Sequence, residues 1–297
     1  MNDQVRLSEQ EVTQATQGAQ ADSTTTVTTK VRKFPVLSLI TLIAYLAMVT
    51  VNALANLLPI NQITTGAVSD DYSNLFAPAG ITFAIWGLIY LLLAVFVVRQ
   101  FFPVQAGQPA KRLQVARICL IISSVANATW IFAWHYREIL ASLILMLIIL
   151  ICLIVARVRL GAEKMTLQEA VLVRLPFSVY FGWITVATVA NVTTYLVDLG
   201  WDRFGLSEAH WMVVILAVAT LLALGTIVRF RDWAYGAVIV WAFAGILIKH
   251  VDPTVGFAGR HLAVIITVSV CLGLVASASV LAILAKKIML VSDRREF

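Results

Sequence analysis

The sequence predicts an all-α fold, a polytopic membrane helical bundle of eight helices, from its composition, the length of its apolar runs and the placement of its basic residues. Of 297 residues, 60% are hydrophobic and 13% charged, with a mean hydropathy of +0.89; soluble domains carry about a quarter charged residues. Apolar runs of about 20 residues, the length that crosses a hydrocarbon core, recur at 36–57, 78–98, 113–134, 139–156, 171–197, 210–228, 233–248 and 262–285. Lipid offers the backbone no hydrogen bonds, and these runs are too long and unbroken for alternating barrel strands, so helices are the expected spanning form.

With eight spans, one side holds both termini and the connections near 99–117, 157–174 and 229–231, and with them 18 of the 22 Lys and Arg residues. The other side holds Arg137, Arg203, Lys249 and Arg260. Basic connections stay in the cytoplasm, so both termini are expected there. Dropping one helix would scatter the basic residues across both sides, which supports the even count. The net charge of +6 and pI near 9.4 therefore reflect topology and contact with anionic membrane lipid. They imply no nucleic-acid partner.

In chain order, residues 1–33 are rich in Gln, Thr, Ser and Ala, end on "KVRK" and lack a signal peptide's apolar core, so they read as a disordered cytoplasmic tail. After the first helix, residues 58–76, with Pro59, Gly66 and Asp70-Asp71, form the longest outer connection, long enough to act as a lid. "PAGITFAIWGLIY" then opens the second helix with a Pro-x-Gly breaker and carries Phe83, Trp86 and Tyr90. In the third, "NATWIFAWHY" sets Asn127, Trp130 and Trp134 on one face, and in the fifth "YFGWITVATVAN" aligns Tyr180, Trp183, Ala187 and Asn191. The topology puts these groups at one depth in the outer half of the membrane. Trp86 lies about 13 Å along its helix at ~1.5 Å per residue, deep for an interfacial belt residue, so a shared pocket accounts for the set better than a belt does.

Other signals are spare. Arg117 and Arg174 lie about one turn inside helix ends, where they can snorkel. No span has a mid-membrane Asp or Glu, which argues against a proton- or sodium-coupled pump. No phosphate loop, nucleophile elbow or two-His metal helix is present, so no catalytic or metal residues are assigned. His135, His210, His250 and His261 fall at outer helix ends without ligand spacing and read as interfacial rings. Cys119, Cys152 and Cys271 read as buried small hydrophobes.

These three motifs resemble the TspO/MBR family, the tryptophan-rich sensory and translocator proteins, over about residues 35–201. Its second helix typically reads P-P-x-W-x-F-x-x-x-W-x-x-L-Y, matched by Pro78, Phe83, Trp86 and Tyr90. Its third carries N-x-x-W, matched by Asn127 and Trp130 with Trp134 following, and its fifth Y-x-x-W-x-x-x-A-T-x-x-N, matched by Tyr180, Trp183, Ala187, Thr188 and Asn191. Ala79 stands where the second proline is usual, Ile81 where a pocket tryptophan is usual, and one residue fewer separates Phe83 from Trp86.

The resemblance implies a five-helix domain at 34–201 that binds a flat lipophilic small molecule. A three-helix extension at 202–288, in which Gly273 and Ser277 have interface-like spacing, and a tail at 289–297 would follow. It implies a sensor or carrier in a bacterial cell membrane, with porphyrin or haem as ligand and no cofactor required. A secondary transporter of a small lipophilic solute is the first alternative. The other is a porphyrin-degrading enzyme with Trp86 and Trp183 as redox-active rings. A homodimer is a further expectation, whose contact the added helices would either replace or leave while extending the pocket.

Overall fold

The computed structural model describes residues 36–58, 60–72, 74–102, 110–161 and 165–292, without the side chains of 110, 111 and 286–292. The predicted tail 1–33, Pro59 and residues 293–297 of the predicted C-terminal tail lie outside the described residues. Among the described residues, eight helices are long and apolar enough to cross a membrane. They are α1 (Val36–Leu57), α2 (Gly80–Arg99), α3 (Ala110–His135), α4 (Ile139–Gly161), α5 (Leu167–Asp198), α6 (Glu208–Phe230), α7 (Trp233–Val251) and α8 (Leu262–Ser292). No strand occurs among the described residues. The last helix outruns its predicted end near 285 because "AKKIMLVS" contains no glycine or proline to stop it.

The central helix is α5. Pro176 to Ile184 are all buried, and a helix buried all round must lie inside a bundle. It packs against α2, α4 and α7, while α3 pairs with α1 and α4, and α8 with α6 and α7. Its first turns explain why it begins before the predicted 171. Thr166 forms a capping box with Glu169, and a π-helical turn, Ala170–Arg174, follows. Pro176 donates no N–H and its ring crowds the preceding turn; the wider turn carries the helix past it.

The added helices are joined to the first five by specific contacts. At Gly182 on α5 a Cβ would stand 2.9 Å from Val238 Cβ and 3.0 Å from Tyr235 O, so the missing side chain lets α5 and α7 approach. Asp232, which caps α7, is buried and accepts from Arg157 Nε, Ser178 Oγ (2.6 Å) and Tyr235 N. Arg157 also donates to Phe230 O at 3.1 Å. The charge pattern had read Arg157 as a connection residue. It sits buried in α4 because a carboxylate from another helix end partners it.

Ala79 N–H donates to Gly245 O at 3.0 Å, and Trp241 Nε1 donates to Thr82 O at 2.9 Å. A second proline at 79 would have no N–H to give. Alanine there suits a chain whose second helix is covered by a seventh.

Candidate functional site: two chambers around Trp86

The three motifs converge at the end of the bundle that holds few of the basic residues. Gly80–Ala84 form a 3-10 turn before the α-helix of Ile85–Arg99. With about 3 residues per turn, this keeps Phe83 and Trp86 on one side despite the shorter spacing. Ile81, at the usual tryptophan position, points outward and is 65% exposed.

Two chambers meet at Trp86. The larger, about 490 Å³, lies between α1, α2, α3 and the connection after α1, with Asn52, Asn56, Thr64, Phe83, Trp86, Tyr90 and Trp130 on its wall. The smaller, about 70 Å³, reaches α4 and α5, with Trp134, Met146, Trp183, Ala187, Asn191 and Thr194. Thr65, Phe83, Trp86 and Trp130 border both. Trp86 stacks on Tyr90 (centroids 5.6 Å, 24° between planes) and meets Trp183 edge-on (6.2 Å, 82°). Phe83 meets Trp183 edge-on at 5.8 Å, and Trp130 stacks on Trp134 at 5.2 Å. Among the described residues, no Asp, Glu, Lys, Arg or His lines either chamber.

Eight of the ten residues singled out in the sequence border these chambers: Phe83, Trp86, Tyr90, Trp130, Trp134, Trp183, Ala187 and Asn191. Asn127 and Tyr180 are behind the wall. Asn127 accepts from Asn52 Nδ2 at 2.7 Å and donates to Tyr180 OH at 3.4 Å, which joins α1, α3 and α5; Tyr180 is fully buried with its ring 6.0 Å from that of Trp86. Asn191 exchanges hydrogen bonds with Ser142 on α4 at 3.0 and 3.3 Å. Asn52, Asn56 and Ser142 were missed by motif reading. Asn52 and Asn56, four residues apart in an apolar span, were a signal available to it, since an intramembrane amide needs a partner.

The connection after α1 lies over the site. Thr65–Asp71 form a short helix capped by Thr64, and Thr65, Gly66 and Ser69 border the chambers. Trp134 Nε1 donates to Thr65 O and Asn61 Nδ2 to His135 O, both at 3.0 Å. Asp71 pairs with Arg137, and Asp70 with Lys249 of α7 at 3.0 Å. His135 is buried, with Nδ1 2.7 Å from Ile131 O and Nε2 3.4 Å from Thr65 Oγ1. His250 is also buried, against Phe257. These two rings pack within the fold, where their pattern had suggested the interface.

Fold and site together define a polytopic α-helical membrane protein with a pocket walled by aromatic rings. The chain belongs to the TSPO-like protein family, whose model matches residues 38–281. The match runs from α1 into α8 and so includes the helices beyond the motifs. No curated protein and no solved structure matches the chain.

Proposed function

We propose that this protein binds a flat, lipophilic ligand, with a tetrapyrrole as the leading class, and acts as its membrane sensor or carrier. The observation that carries the reading is the two-chamber site whose shared wall is Phe83, Trp86 and Trp130. A volume of about 490 Å³ falls within the ~300–1,000 Å³ usual for small-molecule sites. Flat aromatic faces suit a planar ligand. Without a charged lining residue, the part of the ligand inside is uncharged, because a buried ion without a partner is costly. The indole N–H groups of Trp130 and Trp183 are buried with no hydrogen-bond partner among the described residues. A ligand acceptor at either would satisfy a group that otherwise weakens the fold.

The test is an absorbance titration of the purified protein with protoporphyrin, haem and a sterol, repeated on variants. Stacking on an aromatic ring is worth ~1–3 kcal/mol in nucleobase sites, so Trp86→Leu or Trp183→Leu should weaken binding roughly 5-fold to 150-fold with little change in Tm. Trp201 packs against Phe204 and Trp211, at 5.0 and 4.7 Å, beside a separate small cavity. Trp201→Leu should leave affinity unchanged. Equal losses in the Trp86 and Trp201 variants would sink the reading.

A further inference from the structure

A further cavity opens on another face of α2. A groove of about 500 Å³ runs between α2, α5 and α7, walled by Leu88, Leu92, Leu175, Val179, Ala237 and Trp241. It exists because α7 is displaced along α2. The bonds from Ala79 to Gly245 and from Trp241 to Thr82 fix the offset, so α7 has only Trp233–Trp241 left to run beside α2 from that level. That is ~12 Å of helix, whereas α2 continues from Thr82 to Arg99, ~25 Å at ~1.5 Å per residue. Past Trp233, the first residue of α7, the groove opens toward the arginine-rich side.

Arg174 adjoins that end of the groove without lining it. It closes the π turn of α5 immediately before Leu175, a groove residue, and lies within electrostatic reach of Arg157 and Asp232. Asp232 is already held by Arg157 Nε, Ser178 and Tyr235 N. Two guanidinium groups therefore share one carboxylate, and Arg174, only partly exposed, has no hydrogen bond or ion pair among the described residues. Trp233, 41% exposed at the start of α7, also borders the groove.

We propose that this groove is a binding site for one anionic phospholipid, with an acyl chain along α2 and α7 and the headgroup phosphate on Arg174. An apolar channel that ends beside surplus positive charge matches both halves of such a lipid. Basic pockets between spanning helices recognise anionic headgroups in this way.

The experiment adds dioleoyl phosphatidylglycerol or dioleoyl phosphatidylcholine to the purified protein in detergent. It measures Tm and counts retained lipid by native mass spectrometry. Phosphatidylglycerol should raise Tm and stay bound at one per chain, and phosphatidylcholine should bind far more weakly. Arg174→Gln should lower phosphatidylglycerol affinity roughly tenfold and make the two lipids alike. Arg159→Gln, an exposed arginine at the same end, should change nothing. Ala237→Phe fills the groove at an exposed position and should abolish retention; it decides the matter if the Arg174 variant fails to fold. The proposal is overturned if phosphatidylglycerol acts equally on all three variants or if inorganic phosphate alone protects as well. It is also overturned if Ala237→Phe instead splits a dimer, which would make the groove a contact between two copies.

Discussion

Asn127 and Asn191 carry the same chemistry in the same kind of motif, yet they differ in what they touch. Asn127 bonds Asn52 and Tyr180 behind the aromatic wall, whereas Asn191 bonds Ser142 and also borders the smaller chamber. Asn127→Ala should therefore lower Tm, at ~0.6 kcal/mol per interhelical bond on average, and leave ligand affinity within about twofold (~0.4 kcal/mol). Asn191→Ala should reduce both. Thermal melts paired with ligand titrations separate the two, and an affinity loss in Asn127→Ala as large as that in Asn191→Ala would contradict this placement. The motifs specify which side chains are present. They do not say which of two amides at similar depth turns to the cavity, because that depends on Asn52 and Ser142, which lie on helices without motifs.

At the level of elements, α2 and α7 are fitted to each other by two small residues. Ala79 supplies the N–H that Gly245 O accepts, and at Gly245 a Cβ would lie 1.9 Å from Thr82 Oγ1. Ala79→Pro removes the donor, and Gly245→Ala forces α7 away from α2. Each should lower Tm by several degrees and shift the intrinsic fluorescence of Trp241, which bonds Thr82 O at the same contact. Ala79→Gly keeps the N–H and should leave that fluorescence unchanged. If Ala79→Pro melts like the parent, the bond does not hold α7. In the sequence Ala79 was visible only as a departure from the family pattern. Its partner stands 166 positions later in the chain, and local reading has no access to such a pairing.

For the whole molecule, the eight spans place the start of α1 and the end of α8 at the arginine-rich end, opposite the connection that covers the site. The excess of basic residues at that end predicts that it is cytoplasmic. A cysteine at position 70, in a variant lacking Cys119, Cys152 and Cys271, should react with an impermeant maleimide in intact cells. One at 159 should react only after permeabilisation. The reverse order would invert the topology. The three native cysteines are buried and free, so removing them clears the background.

The sequence by itself determined that this is a membrane protein, how many helices cross, which ends share a side and which residues carry the aromatic motifs. Those features follow from local quantities: the apolar length that spans lipid, the distribution of basic residues, and spacing that puts i, i+3 and i+7 on one helix face. Tertiary structure alone decided the rest. It divided the site into two chambers at Trp86, set Asn127 and Tyr180 behind the wall, buried Arg157 on Asp232, and laid α7 against α2 and α5. Each of these pairs groups far apart in the chain. In lipid, where apolar surface no longer drives helices together, the pairing is selected by close packing at small residues and by the cost of an unpartnered polar group.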